Sequence, residues 1–147
     1  LLFSKGNAKD LLGLRHMIDA GVFMLILQQG LSDEDRFELE VQNDQYSALV
    51  LADEPDVDAI AEADMTFHKM LAAATHNELV RVFHDYVADL TAESRLRVVK
   101  LCREEGNMQY LVDVHRRTLD LVERRSPYSL EDTIDFSYFY WKSTYKL

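Results

Sequence analysis

Two predicted helices carry ionisable residues in the middle of their apolar faces. On one of them, Asp64 and His68 are four residues apart, so both side chains project from one face, one helical turn apart. On the other, His115 interrupts a stripe of leucine and valine side chains. A buried carboxylate is unfavourable unless it finds a cation. Since two imidazoles and a carboxylate suit a divalent transition metal, we expect Asp64, His68 and His115 to bind one such ion.

The same pattern has an interpretation that needs no metal. An aspartate and a histidine at this spacing are common on helices, and an interior histidine is usually hydrogen-bonded to a neighbouring polar group. Spacing alone leaves both interpretations open. The other three histidines, His16, His76 and His84, lie at predicted helix margins, where we expect them to be solvated.

Arginines also interrupt apolar stripes, which suggests a site for an acidic ligand. An inward guanidinium needs a carboxylate, from the protein or from a ligand, and can bind it with two parallel hydrogen bonds. Arg95 points about 200° away from Arg97 on an ideal helix, so the two cannot face the same way. The candidate ligand contacts are Arg15, Arg97, Arg95 and Asn77. An internal salt bridge explains Arg15 equally well, and a helix cap explains Asn77.

Six helices are expected to position these residues. Hydrophobic periodicity and the intervening breaks predict them over residues 8–29, 32–51, 55–75, 78–102 and 108–125, with the last opening at a Ser126 cap and Pro127. The inward positions expected on the fourth helix are Leu79, Phe83, Tyr86 and Leu90. No strand pattern is present, so the sequence predicts an all-α antiparallel bundle.

The composition limits the class of protein. With 147 residues, 48% of them hydrophobic, the chain suits one domain with a single core. It has only 5 glycines and 2 prolines, which favours helices. A formal net charge of −10 disfavours binding to DNA or to an anionic membrane. No apolar run approaches the roughly 20 residues of a membrane span.

Other motifs narrow the function further. Cys102 is the only cysteine, which fits a reducing compartment, and we expect a cytoplasmic protein. The sequence contains no phosphate-binding loop, dinucleotide fingerprint, nucleophile elbow or Cys-x-x-Cys pair. The sequence begins at Leu1 without a methionine, so a missing N-terminal domain must be considered.

These motifs resemble the FCD domain, the effector-binding domain of FadR-type GntR transcription regulators. Residues 11–19 resemble its opening helix, and residues 31–35 resemble the start of the next helix. The most specific match is residues 61–79, where the family typically has an aspartate, a Phe-His pair, a small-residue stretch and an asparagine. Residues 114–122 resemble its second metal-histidine segment. The resemblance covers nearly the whole chain.

The resemblance implies an antiparallel bundle of six to seven helices that forms homodimers. It also implies a small carboxylate effector beside an interior divalent metal, here Zn or Ni, with Asp64, His68 and His115 as ligands by position. The family usually supplies another histidine on the last helix, and that position falls near Ser137. Three ligands can still hold a metal if water or effector completes the shell. Alternatively the site is weak or lost, as in acyl-CoA-binding members of the fold.

We therefore expect residues 1–147 to be a single effector-binding and dimerisation domain, not an enzyme. DNA would be contacted only through an N-terminal winged helix outside this sequence. Two alternatives remain open: a non-haem metalloenzyme that uses the two histidines and the aspartate, and a dimerisation module with a degenerate pocket. The aromatic segment 138–141 is expected to be core, dimer interface or pocket wall, and it motivates the homodimer prediction.

Overall fold

The computed structural model describes residues 5–147, with side chains from Asn7 onward. Eight helices and no strand lie in this range, so the predicted all-α bundle is confirmed. The helices are α1 (Lys5–Gln29), α2 (Asp33–Val50), α3 (Val57–Ala73), α4 (Glu78–Leu90), α5 (Ala92–Glu104), α6 (Gln109–Val122), α7 (Leu130–Ser137) and α8 (Phe139–Tyr145). None of these helices is both long and apolar enough to cross a membrane.

Helix α3 lies at the centre of the bundle and packs against α2, α4 and α5. Its buried Phe67 and Leu71 join Ile26 of α1, Leu39 of α2 and Leu119 of α6 in one core cluster. Burying side chains of this kind stabilises the fold by about 1.5–3 kcal/mol each. The candidate metal ligands therefore lie on two helices, α3 and α6, that both contribute to this core.

Short polar side chains set the start of four helices. Ser32, Asp56, Asn77 and Ser129 each accept a hydrogen bond from a backbone N–H in the first turn of the helix that follows. Such a cap satisfies a donor that the helix itself leaves unpaired. The prediction that Ser126 and Pro127 open the last helix is wrong. Ser126 instead accepts from the backbone of Tyr128 within the preceding loop, 2.9 Å away.

Two predicted helices are each divided by a break of one residue. The fourth is interrupted at Thr91, whose buried hydroxyl donates to the carbonyl of Ala88 at 3.0 Å. This side chain competes with the backbone for a helical acceptor, which is how threonine and serine bend helices. The last predicted helix is interrupted at Tyr138, whose hydroxyl is anchored on Asp19 of α1. The breaks give α4, α5, α7 and α8 independent directions.

Helix α4 faces largely the opposite way from the prediction, and of the four residues expected to face inward only Leu90 packs against a core cluster. Leu79 is 82% exposed and Tyr86 is 61% exposed, and Phe83 is also exposed. The inward face consists of His84, Val87 and Ala88. His84 is therefore buried, and the expectation that it is solvated is wrong. The outer surface of α4 carries an apolar stripe, because side chains three or four positions apart line one helical face. The stripe consists of Leu79, Val82, Phe83 and Tyr86.

Candidate functional site

The structure brings Asp64, His68 and His115 together. Asp64 Oδ1 lies 2.7 Å from His115 Nε2 and 3.4 Å from His68 Nε2. One ligand atom from each residue lies within 4.8 Å of the other two. Both histidines are buried. Among the described residues, this is the one group of histidine, cysteine and acidic side chains that converges in this way.

The ring of His115 is clamped between two aromatic rings. Tyr46 of α2 stacks on one face with ring centroids 3.8 Å apart, and Phe67 of α3 stacks at 4.2 Å. His68 meets both Phe67 and His115 edge to face. Because the imidazole cannot rotate without breaking these contacts, His115 Nε2 is fixed in its direction towards Asp64. Such preorganisation by packing is what a precise ligand site requires.

Arg95 of α5 binds the other oxygen of the same carboxylate. Its guanidinium Nη1 lies 2.7 Å from Asp64 Oδ2, and Arg95 is only 5% exposed. Burial alone raises the pKa of Asp64, but Arg95, with His68 and His115, outweighs that effect and holds this pKa well below its usual range. Asp64 is therefore ionised, as a metal ligand must be.

Burial also sets the state of His68. It lowers the pKa of this imidazole to about 4, against the opposing charge of Asp64. His68 is therefore neutral at physiological pH and keeps a lone pair for a metal ion.

Two imidazoles and a carboxylate are a donor set that suits a divalent transition metal. Ligand atoms about 2.0–2.2 Å from a tetrahedral ion lie roughly 3.3–3.5 Å apart. The His68–Asp64 separation of 3.4 Å already has this value. The His115–Asp64 separation of 2.7 Å is a hydrogen-bond distance, so an ion at this place would replace a shared proton. Arg95 would then remain as the outer partner of the ligating carboxylate.

The three residues open onto an interior cavity of about 40 Å³. One water needs about 10–15 Å³, so the cavity holds a few waters or a small organic group. Its wall combines aromatic and aliphatic side chains with a few charged groups, as is typical of ligand sites. The lining residues are Arg15, Tyr46, Asp64, His68, Arg95, Val98, Val99, Tyr110, Leu111, Val114, His115, Ser137 and Trp141.

Arg15 reaches the cavity from α1 and has a protein counter-charge. Its Nε lies 3.6 Å from Asp19 Oδ2, which also accepts a hydrogen bond from Tyr138 at 2.6 Å. Burial disfavours the charged guanidinium, yet the charge of Asp19 outweighs it, and the pKa of Arg15 is raised. The internal salt bridge considered from the sequence is thus present. Even so, Arg15 Nε has no hydrogen-bond partner among the described residues.

Two other candidate ligand contacts lie outside this cavity. Arg97 points to the surface, where its guanidinium pairs with Glu93 at 2.6 Å. Asn77 caps α4 by accepting from the backbone N–H of Val80 at 3.1 Å. Arg95 rather than Arg97 faces inward, on the side of α5 that packs against α3.

Sequence reasoning missed three polar groups at or beside the cavity, Asp19, Tyr46 and Tyr110, and left the role of Trp141 open. Asp19 follows Arg15 by four residues, and this spacing was a detectable signal of an ion pair. Tyr46 lies on the inward face of α2, where an aromatic residue is unremarkable in sequence. Trp141 falls inside the aromatic segment, and only the direction of α8 reveals that it lines the cavity.

Comparison with known families decides the class of this domain. The model of the FCD domain family matches residues 10–135, which include all three candidate metal ligands. The chain belongs to the FCD domain family. FCD domains are the effector-binding domains of GntR-type regulators, so this FCD domain is a regulatory module and not an enzyme.

A curated relative agrees with this assignment. The FCD domain is 29% identical over 125 residues to the HTH-type transcriptional regulator LutR of Bacillus subtilis (strain 168). The alignment covers 83% of this chain and 54% of LutR, so the chain spans about half the length of that protein. No solved structure matches the chain significantly.

Near Ser137, this FCD domain lacks the histidine that the family usually has on its last helix. The Ser137 side chain lines the cavity, so this position does face the candidate metal centre. The hydroxyl, however, donates to the backbone carbonyl of Ile134 at 2.6 Å. A serine engaged in this way is a poor substitute for an imidazole. The protein therefore offers three ligand atoms here, and a bound ion would keep an open position for water or another ligand.

Proposed function

We propose that this FCD domain senses a small carboxylate, which binds in the interior cavity beside a divalent metal ion held by Asp64, His68 and His115. The observation that carries the proposal is the convergence of three ligand atoms within 4.8 Å at a cavity that two buried arginines also line. Imidazole and carboxylate ligands favour Zn²⁺ or Ni²⁺. The metal would supply a Lewis-acid contact to a carboxylate oxygen.

Arg15 and Arg95 support the acidic class of ligand. Arg15 pairs with Asp19 and Arg95 pairs with Asp64, yet each guanidinium keeps an Nε–H that makes no hydrogen bond and from which an acidic ligand would accept one. Burial, together with the nearby charge of Arg15, lowers the pKa of Arg95, which shows that these two cations repel each other inside the protein. An anion between them would relieve this repulsion. We assign no ligand contact to Arg97 or Asn77.

The rest of the regulator would lie outside the matched region. LutR is named as a helix-turn-helix regulator, and we propose that this FCD domain is joined to a winged helix that binds DNA in the cytoplasm. The net charge of −10 supports this proposal, because an acidic FCD domain is repelled by the phosphate backbone and leaves DNA binding to the winged helix. Effector binding would act by shifting the population of dimer arrangements.

We further propose a homodimer formed through the outer stripe of α4. Helix-turn-helix regulators usually read two half-sites as symmetric dimers. Exposed apolar stripes are unusual on a monomer. Two copies with a net charge of −10 repel each other, so they should meet on an apolar face such as that of Leu79, Phe83 and Tyr86. The aromatic segment 138–141 is less suitable, because Tyr138, Tyr140 and Trp141 are buried within the protomer.

Elemental analysis tests the metal centre. Protein purified without an affinity tag or chelator should contain close to one equivalent of transition metal per chain. His68→Ala should remove most of it, because two protein ligands rarely hold such an ion. His76→Ala is the matched control, since His76 is exposed and bonded to Asp35. If the parent protein takes up neither Zn²⁺ nor Ni²⁺ on addition, the cavity is degenerate and the metal part of the proposal is wrong.

Thermal melting tests the carboxylate. A small carboxylate at a hundred times its dissociation constant should stabilise the metal-loaded parent by about 2.7 kcal/mol. Arg15→Met should lose most of this shift, because it keeps the bulk of the side chain but removes the cation. Arg97→Met is the control and should keep it, since Arg97 pairs with Glu93 at the surface. Stabilisation of the parent by long apolar ligands but not by carboxylates would refute the acidic effector.

A further inference from the structure

We infer that Trp141 contacts the effector. Its indole N–H would complete an anion subsite with the Nε–H groups of Arg15 and Arg95, on the part of the cavity wall formed by α1, α5 and α8. This inference rests on the carboxylate-binding function proposed above. It adds a ligand contact that does not depend on the metal ion, because none of the three donors belongs to a metal ligand.

Three buried N–H groups that make no hydrogen bond carry the inference, although Arg15 Nε also lies 3.6 Å from Asp19 Oδ2 in an ion pair. Trp141 Nε1, Arg15 Nε and Arg95 Nε are all buried, and none has a hydrogen-bond partner within the described part of the chain. All three side chains line the same cavity. Each of these atoms can donate a hydrogen bond and cannot accept one. A buried donor without an acceptor is unfavourable, so three at one cavity favour a ligand that supplies acceptors there.

The indole cannot turn elsewhere to find that acceptor. Trp141 is only 1% exposed and packs with Ala8, Leu11 and Tyr145 in one core cluster. The ring of Tyr145 lies 4.8 Å from it, and the Tyr145 hydroxyl is already hydrogen-bonded to Ser94. Packing therefore holds the indole in place at the cavity wall, and its N–H has no acceptor within the described residues.

The number of donors favours a carboxylate over a water molecule. One water accepts two hydrogen bonds, so a single water molecule cannot serve all three donors. A carboxylate has two oxygens with about four acceptor positions and no hydrogen to place. Its negative charge also offsets the mutual repulsion of the two guanidinium groups. The ligand class that fits this subsite is a small carboxylate.

Fluorescence provides a direct measurement, since Trp141 is the only tryptophan of the chain. Chelator-treated protein is titrated with sodium acetate and sodium succinate, with sodium chloride at matched ionic strength as the reference. The inference predicts a saturable change in tryptophan emission with a carboxylate and none with chloride. Saturation in the absence of metal is the result that separates this subsite from the metal centre.

Substitution tests the donor itself. Trp141→Phe should raise the acetate or succinate concentration for half-maximal thermal stabilisation by about 10- to 100-fold, as expected when a hydrogen bond to a charged group is lost. Tyr145→Phe changes the same aromatic cluster but not the cavity wall, and should leave that concentration unchanged. Trp141→benzothienylalanine replaces the N–H by sulfur with little change of shape, and it serves as the second variant if Trp141→Phe does not fold.

The possible outcomes separate the two proposals. If the parent binds a carboxylate and both Trp141 variants bind it equally well, the subsite is wrong and the sensing function stands. The same conclusion follows if the parent binds carboxylates only when metal-loaded. If the parent binds no carboxylate with or without Zn²⁺, the proposed function fails and this inference fails with it. Unchanged Zn²⁺ affinity in the variants, measured by calorimetry, is the expected companion result.

Discussion

Asp64→Asn is expected to destabilise the domain by about 3–5 kcal/mol, the usual cost of removing one partner from a buried ion pair. The substitution keeps the shape of the side chain but leaves the buried guanidinium of Arg95 without its counter-charge, 2.7 Å away in the parent. It also removes the ionised ligand from the candidate metal centre. Urea denaturation of metal-free protein measures the stability effect by itself.

A second substitution should recover much of this loss. In Asp64→Asn/Arg95→Met, neither buried charge remains, so the double variant should be clearly more stable than Asp64→Asn alone. Asp89→Asn is the matched control, because Asp89 pairs with Lys69 at the surface and should matter by less than about 1 kcal/mol. If Asp64→Asn costs no more than this control, the Arg95–Asp64 pair is not desolvated and our account of the site is incorrect.

The double variant Leu79→Glu/Phe83→Glu is expected to make the proposed dimer monomeric. A two-fold interface contains each substitution twice, so four carboxylates would face one another across α4. Like charges placed together in an interface cost several kcal/mol, which corresponds to a loss of affinity of about 100-fold or more. Sedimentation equilibrium should give about twice 17.1 kDa for the parent protein and 17.1 kDa for the variant.

Phe37→Glu provides the control for this experiment. Phe37 is 69% exposed on α2, whereas α4 packs against α1, α3 and α5, so substituting Phe37 should leave a dimer joined through α4 intact. A parent protein that is monomeric at micromolar concentration would contradict the homodimer. A dimer that persists in the α4 variant would instead show that another surface joins the protomers.

The fold was largely predictable because helical periodicity and capping act locally. Ser32 caps α2 as expected, and the polar break at residues 76–77 separates α3 from α4. The break at Thr91 was not predictable, since it depends on one hydroxyl that bonds to a carbonyl three residues earlier. The inward face of α4 was also not predictable from the hydrophobic periodicity of the sequence. Its most apolar residues lie on the outside, which reverses the usual assignment of hydrophobic positions to a core.

The candidate site was predictable to the extent that its residues share a helical face. Asp64 and His68 are four residues apart, so their proximity follows from helix geometry alone. The meeting of His115 with Asp64 depends on the packing of α6 against the rest of the bundle. Sequence reasoning established that Arg95 and Arg97 face different ways but not which one faces inward. That choice depends on the packing of α5 against α3 and α8, which no local pattern encodes.

The burial of Cys102 makes the domain convenient for site-directed labelling. This thiol is fully buried, and burial raises its pKa to about 12. At pH 7 only about one molecule in 10⁵ then carries the reactive thiolate. A cysteine introduced at an exposed position of α4 outside the apolar stripe, such as Asp89, would be the one residue that a maleimide or nitroxide reagent modifies. Two such labels in a dimer would report the separation of the α4 helices with and without acetate, while every native interior residue stays in place.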